Sequence, residues 1–105
     1  MIFPMLTVYS TFPTRREAER VAAVVVKSRL AACANSFPVT SFYTWKGRFR
    51  RAGEHAVVFK TTEAKYPRLE RAIWRMHSDE VPCIVAWKDD RALREYSSWV
   101  ARSCA

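Results

Sequence analysis

The chain has 105 residues, half of them apolar, with only two glycines and no low-complexity run, which predicts one domain over residues 1–105. The formal net charge is +8, but the basic residues are spread along the chain, so a soluble basic surface is favoured over nucleic-acid binding. No segment reaches membrane-spanning length, and three widely spaced cysteines fit a reduced, cytoplasmic protein better than a disulfide scaffold.

A strand and a helix are predicted first. Residues 1–6 are apolar but lack a basic leader and a sustained hydrophobic segment, so we expect no secretory signal. Enrichment in β-forming residues predicts a strand over residues 5–11. Thr14 and Glu17 have the spacing of a capping box, and apolar residues at helical spacing then predict a helix to about Leu30.

A hairpin is predicted next. Residues 33–46 predict a long strand, which we expect to be interrupted near Pro38 because proline cannot donate a ladder hydrogen bond. Gly47 marks the turn. Residues 55–62 predict the partner strand, and their apolar side chains on both faces are typical of a central strand covered on both sides.

The remaining elements complete the fold class. Pro67 suits the first turn of a helix that His77 closes, residues 81–87 predict a fourth strand, and residues 92–101 predict a short helix. The order βαββαβ plus α predicts an α+β fold, a ferredoxin-like sandwich with a four-stranded antiparallel sheet, both main helices on one face and an extra C-terminal helix. Aromatic and apolar residues remain for the other face, so we expect oligomerisation to cover it.

Two residue types in the chain suit metal ions. The Cys33 thiolate would be a soft ligand for copper or zinc, although a lone cysteine is also typical of a small buried core residue. His77 could supply a neutral imidazole, or it could cap the last carbonyls of the preceding helix. No Cys-x-x-Cys or His-x-x-x-His spacing accompanies them, so a structural zinc site is not expected.

Other side chains suggest a cleft or an interface. Tyr43 and Trp45 are two residues apart and share one strand face, where they could anchor a subunit contact or wall a ligand cleft. Lys60 ends an apolar strand and needs a carboxylate or an anionic ligand, and Glu54 or Glu80 could be its partner.

Catalysis is not expected. An acylphosphatase-type enzyme would need an anion-cradling loop after the first strand, but residues 11–14 contain no glycine and place a proline there, which removes a backbone donor. No nucleophile and base can be paired from the sequence either. We therefore predict a protein without enzymatic activity.

Five segments stand out in chain order: residues 30–35 (Leu-Ala-Ala-Cys-Ala-Asn), 41–47 (Ser-Phe-Tyr-Thr-Trp-Lys-Gly), 60–61 (Lys-Thr), 77–82 (His-Ser-Asp-Glu-Val-Pro), and Tyr96 followed by Trp99. Together they resemble the CutA divalent-cation-tolerance family over nearly the whole chain. The resemblance implies a homotrimer whose sheets pack inward around a threefold axis, with the long hairpin extending to a neighbour. It also implies a response to metal ions, with copper or another divalent ion bound.

The resemblance makes Cys33 and His77 the candidate metal ligands. Further positions match the family pattern as cleft or interface residues: Asn35, Tyr43, Trp45, Glu54, Lys60 and Glu80. Relatives usually have His-Pro-Tyr-Glu-Val-Pro where this chain has Ser78 and Asp79, so a carboxylate replaces an aromatic residue, which favours harder cations. The alternative function is a PII-like trimeric scaffold that binds a small effector or a partner protein between subunits, by analogy of architecture.

Overall fold

The computed structural model describes residues 5–105, so the expected lack of a secretory signal at residues 1–6 falls mostly outside it. The elements, in chain order, are β1 (Met5–Phe12), α1 (Arg15–Lys27), β2 (Cys33–Trp45), β3 (Arg48–Thr62), α2 (Tyr66–Met76), β4 (Ile84–Lys88) and α3 (Arg94–Ser103). The strands form one antiparallel sheet in the order β2-β3-β1-β4. This arrangement confirms the α+β class and the four antiparallel strands.

One face of the sheet packs against α1 and α2. Side chains alternate along a strand, so Val8 and Phe12 of β1 point to the same side as Phe59 of β3. All three are fully buried, together with Val21 of α1 and Ile73 of α2. The apolar side chains that recur at helical spacing in the helices and at alternate positions in the strands therefore pack into one core.

The opposite side of the sheet is only partly covered, and we call it the open face. It carries the odd-numbered positions of β1, β2 and β4 and the even-numbered positions of β3, as the strand registers require. Helix α3 covers one end, where Val100 and Cys104 are buried against Met5. Elsewhere the face keeps exposed apolar side chains, including Trp87 at 51% exposure.

The hairpin is longer and more regular than predicted. Strand β2 is continuous through Pro38, so the expected interruption is wrong. Because β2 is an edge strand, half of its N–H groups point away from β3, and a proline is tolerated there. Strand β3 begins at Arg48 rather than at residue 55, because Lys46 and Gly47 both have positive φ. That is the two-residue turn whose twist matches paired strands, so the ladder starts immediately after it.

Several helices and strands also begin or end a few residues away from the predicted positions. Helix α1 ends at Lys27 rather than near Leu30, since Arg29 has a φ of 64° and cannot continue a right-handed helix. Strand β4 begins at Ile84, after Pro82, and α3 begins at Arg94. Within residues 5–105, no helix combines the length and apolarity needed to cross a membrane.

Candidate functional site

His77 is sealed inside the fold at the end of β1. Its side chain is fully buried, and its ring stacks on Phe12 with 4.5 Å between centroids. Nδ1 accepts a hydrogen bond from the Asp79 amide at 3.0 Å, so Nε2 carries the proton and donates to the Thr11 carbonyl at 2.6 Å. The ring therefore ties the segment after α2 to β1, instead of capping the last carbonyls of α2.

Glu17 of α1 holds the same segment from the other side. Its carboxylate accepts a hydrogen bond from the Ser78 amide at 3.0 Å and lies 3.7 Å from Nδ1 of His77. The predicted capping box is therefore only half formed. The Thr14 hydroxyl accepts from the Glu17 amide at 3.1 Å, but the Glu17 side chain reaches Ser78 rather than back to Thr14.

Cys33 lies at the start of β2, on the open face of the sheet. It is partly exposed, so it is not the fully buried core residue that the alternative interpretation required, and its Sγ is 3.3 Å from the Tyr96 hydroxyl. Burial and, next, the hydrogen bond with Cys33 raise the pKa of Tyr96 to about 12. His77 is near Thr11, whereas Cys33 is beside the pair formed by Lys60 and Thr7. Four residues of strand, about 13 Å, separate these two levels of the sheet, so one protomer does not bring the two candidate ligands together.

Lys60 has a different partner from the two predicted. Its ammonium donates to the Thr7 hydroxyl, which donates to Asp89 at 2.8 and 2.9 Å from the two carboxylate oxygens. The Lys60 Nζ is 4.0 Å from the nearer Asp89 oxygen. The expected pairing with Glu54 or Glu80 is therefore wrong. The sequence did not indicate Asp89 as the partner, because Lys60 and Asp89 come together only through the strand order, in which β1 lies between β3 and β4.

A cleft opens where the hairpin extends beyond β1. Strand β1 ends at Phe12, opposite His55, so within the described part of the chain residues 48–54 of β3 pair with no strand on that side. The segment 79–83 lies there instead, and a cavity of about 550 Å³ separates it from the hairpin. Four predicted site residues line this cavity: Tyr43, Trp45, Glu54 and Glu80. The four others do not line it: Cys33, Asn35, Lys60 and His77.

The sequence analysis did not assign Tyr9 and Cys83 to this cleft, where they form part of its lining. Burial raises the pKa of Tyr9, and the neighbouring charges of Cys83 and Glu54 add to the rise. Burial also raises the pKa of the Cys83 thiol despite hydrogen bonding with Thr11, which lowers it. The prediction placed Cys83 inside a strand over residues 81–87, whereas β4 begins only at Ile84 and leaves Cys83 in the segment that lines the cleft.

The carboxylates around the cleft differ in their partners. Glu80 is 3.7 Å from the Lys46 ammonium, and both side chains are largely exposed. Asp79 lies 4.0 Å from Nδ1 of His77. Glu54 has no ion-pair partner among residues 5–105. In this same part of the chain, no three His, Cys, Asp or Glu side chains are grouped so that they could hold one metal ion.

Comparison with known proteins gives one consistent result. The family described as CutA1 divalent ion tolerance protein matches residues 6–103. A divalent-cation tolerance protein CutA from Archaeoglobus fulgidus is 39% identical over 93 residues, which are 89% of this chain and 91% of that protein. Its counterpart from Thermotoga maritima is 38% identical over 99 residues, 94% and 98% of the two chains.

Solved structures agree with the sequence matches. The structure described as the periplasmic divalent cation tolerance protein CutA from Archaeoglobus fulgidus has a TM-score of 0.94 at 36% identity, covering 96% of this chain and 99% of that one. CutA1 from Oryza sativa has a TM-score of 0.95 at 28% identity, covering 99% and 96%.

Proposed function

This chain belongs to the CutA1 divalent ion tolerance family, and on that basis we propose that it acts in tolerance to divalent cations by binding copper or another divalent metal ion as a homotrimer. The observation that carries the proposal is the family match over residues 6–103. The relatives from Archaeoglobus fulgidus and Thermotoga maritima carry the same functional name and match almost end to end.

Cys33 is the first ligand we propose. Its thiol is partly exposed, lies on the open face and is not in a disulfide, which suits a soft or borderline ion. His77 is the second candidate, but a metal would have to displace the Thr11 carbonyl or the Asp79 amide from its ring. Since no complete ligand set lies within residues 5–105 of one protomer, the remaining ligands would come from another subunit or from solvent.

The trimer that we propose is supported by the open face. Val85 and Trp87 of β4 are half-exposed there, and neither of them lines the cleft. Large apolar side chains left exposed on one sheet face point to an interaction site. We propose that ferredoxin-like protomers pack these faces around a threefold axis and that the long β2–β3 hairpin reaches a neighbour.

Native mass spectrometry with and without Cu²⁺ or Zn²⁺ tests the proposal. We expect a trimer that takes up about one ion per chain and loses that uptake in Cys33→Ser. Cys83→Ser is the matched control, because it removes another accessible thiol, from the cleft, and should leave uptake unchanged. A trimer that stays free of metal would reject direct metal binding, and equal losses in both variants would reject Cys33 as the specific ligand.

We propose a cytoplasmic location and no catalytic activity. All three cysteines are unpaired, which suits a reducing compartment, although the Archaeoglobus relative is described as periplasmic. Cell fractionation with a thiol-labelling assay tests the location, since a periplasmic pool would contradict it. The PII-like signalling alternative is not favoured by the family match.

A further inference from the structure

The cleft has an aromatic wall. Tyr43 and Trp45 both lie on the open face of β2, at 41% and 38% exposure, and Tyr9 of β1 lies on the same face. The faces of aromatic rings carry negative partial charge and attract cations more strongly than they attract neutral groups. A volume of about 550 Å³ is within the usual range for a small organic ligand and far exceeds what a single ion fills.

The cleft also has a local excess of acidic groups in a basic protein. Glu54, Asp79 and Glu80 belong to its lining, to which the described residues contribute one cationic side chain, Arg50, while the whole chain carries +8. Glu54 is close enough to Tyr9 and Cys83 for its negative charge to help raise the pKa of both side chains. Glu54 itself has no ion-pair partner in the described part of the chain.

Lys46 supplies an independent observation at the rim. Its ammonium lies 5.8 Å from the centroid of the Trp45 ring and 3.7 Å from the Glu80 carboxylate. The chain therefore already places one amine between an aromatic face and a carboxylate of this cleft. The Lys46 side chain is 72% exposed, so an external amine could replace it with little loss of packing.

From these features we propose that the cleft binds an organic cation, an amine or quaternary ammonium group, with Tyr9, Tyr43 and Trp45 against its methyl or methylene surface and Glu54 against its charge. Within residues 5–105 the three carboxylates do not form a metal-ligand group, and the faces of the aromatic rings offer a metal ion no lone pair. An organic cation uses both components, because its charge is spread over apolar groups.

Isothermal titration of the intact protein with tetramethylammonium chloride at constant ionic strength tests the proposal, with tert-butanol as the neutral probe of similar size. We expect saturable binding of the cation and at least tenfold weaker binding of the alcohol. Glu54→Gln and Trp45→Leu should each weaken cation binding at least fivefold. Lys46→Met should strengthen it severalfold by removing the internal competitor, a gain that misfolding would not produce.

Glu63→Gln is the matched control, because it removes a carboxylate that pairs with Lys88 outside the cleft and should leave binding unchanged. Equal binding of cation and alcohol would overturn the proposal, as would equal effects of Glu63→Gln and Glu54→Gln. Absence of cation binding together with a smaller oligomer in Glu54→Gln would also overturn it, because the cleft would then hold a basic side chain of a second copy. No divalent metal is present in this experiment, so its outcome is separate from that of the metal-binding test.

Discussion

At the residue scale, hydrogen bonds of the segment 77–80 hold one side of the cleft in position. His77 is bonded through both ring nitrogens, and Glu17 accepts the Ser78 amide. These bonds fix the backbone immediately before Asp79 and Glu80, whose carboxylates then line the cavity. The structure thus gives His77 a positioning role, whatever ligand the cleft holds.

We expect His77→Ala to lower the free energy of unfolding by about 2–4 kcal/mol, because it removes a fully buried ring that stacks on Phe12 and leaves the Thr11 carbonyl and the Asp79 amide without their partner. Urea denaturation measures this loss. His55→Ala is the matched control, with an expected cost below about 1 kcal/mol, since His55 is only half-buried and its ring makes no hydrogen bond within residues 5–105. Equal losses in the two variants would contradict the positioning role.

Two tyrosines make the fold sensitive to alkaline pH. Burial raises the pKa of Tyr96 and of Tyr66 to about 12, with further contributions from Cys33 and Glu70 respectively. The folded state therefore retains protons that the unfolded chain loses near pH 10. This contribution to stability is complete below pH 10 and is lost as the pH rises toward 12.

Tyr96→Phe and Tyr66→Phe should each make the decline in stability between pH 10 and 12 shallower, because each removes one of these protons. The free energy of unfolding, measured at several pH values in that window, checks this. The decline should be shallower in the double variant than in either single variant. A decline as steep as in the unchanged protein would show that these two tyrosines are not its cause.

At the element scale, the two-residue turn sets the register of the long hairpin. Lys46 and Gly47 have φ values of 52° and 77°, and Trp45 pairs directly with Arg48. Since a one-residue slip moves every side chain to the other face, this turn decides that Tyr43, Trp45 and Glu54 share the open face. The cleft wall therefore depends on the conformation of the turn.

We expect Gly47→Ala to destabilise the protein by about 1–2 kcal/mol, because an L-residue is strained at positive φ. A Cβ at this position would meet no atom within 4 Å, so strain and not a clash would be the cause. Gly53→Ala also meets nothing within 4 Å and has no positive φ. It should be close to neutral in the same thermal melt, and a similar loss at both positions would rule out the turn as the cause.

At the scale of the whole molecule, the two faces of the sheet have unequal cover. One face is sealed by α1 and α2, while α3 protects only the end of the open face. The long hairpin also extends the chain to 48 Å in one direction against 25 and 21 Å in the others. A single protomer therefore leaves apolar surface in water, which is the physical reason to expect association.

Trp87→Glu should reduce the oligomer to monomers or strongly raise its dissociation constant, because it places a charge in the proposed interface. Trp74→Glu is the matched control. Trp74 is similarly exposed, at 60%, but lies on α2, on the helical side of the sheet. Sedimentation velocity distinguishes the two, and an unchanged oligomer in Trp87→Glu would exclude the open face as the interface.

The order of elements, the α+β class and the family could all be predicted from the sequence. Those features depend on local spacing, namely the alternation of side chains along strands and the 3.6-residue period in helices. The family depends on short motifs that can be recognised without knowing the fold. The sequence also placed Tyr43 and Trp45 on one strand face, since that requires only a separation of two residues.

Contacts between side chains that are distant in the sequence could not be predicted, because they depend on the tertiary structure. Lys60, Thr7 and Asp89 meet because β1 pairs with both β3 and β4, although Thr7 and Asp89 are 82 residues apart. Tyr9 joins the cleft with Glu54 for the same reason, and Cys33 is kept away from His77 by the length of β1. Register and strand order set these distances, and neither is recorded in the local sequence, because both follow from the packing of the whole sheet.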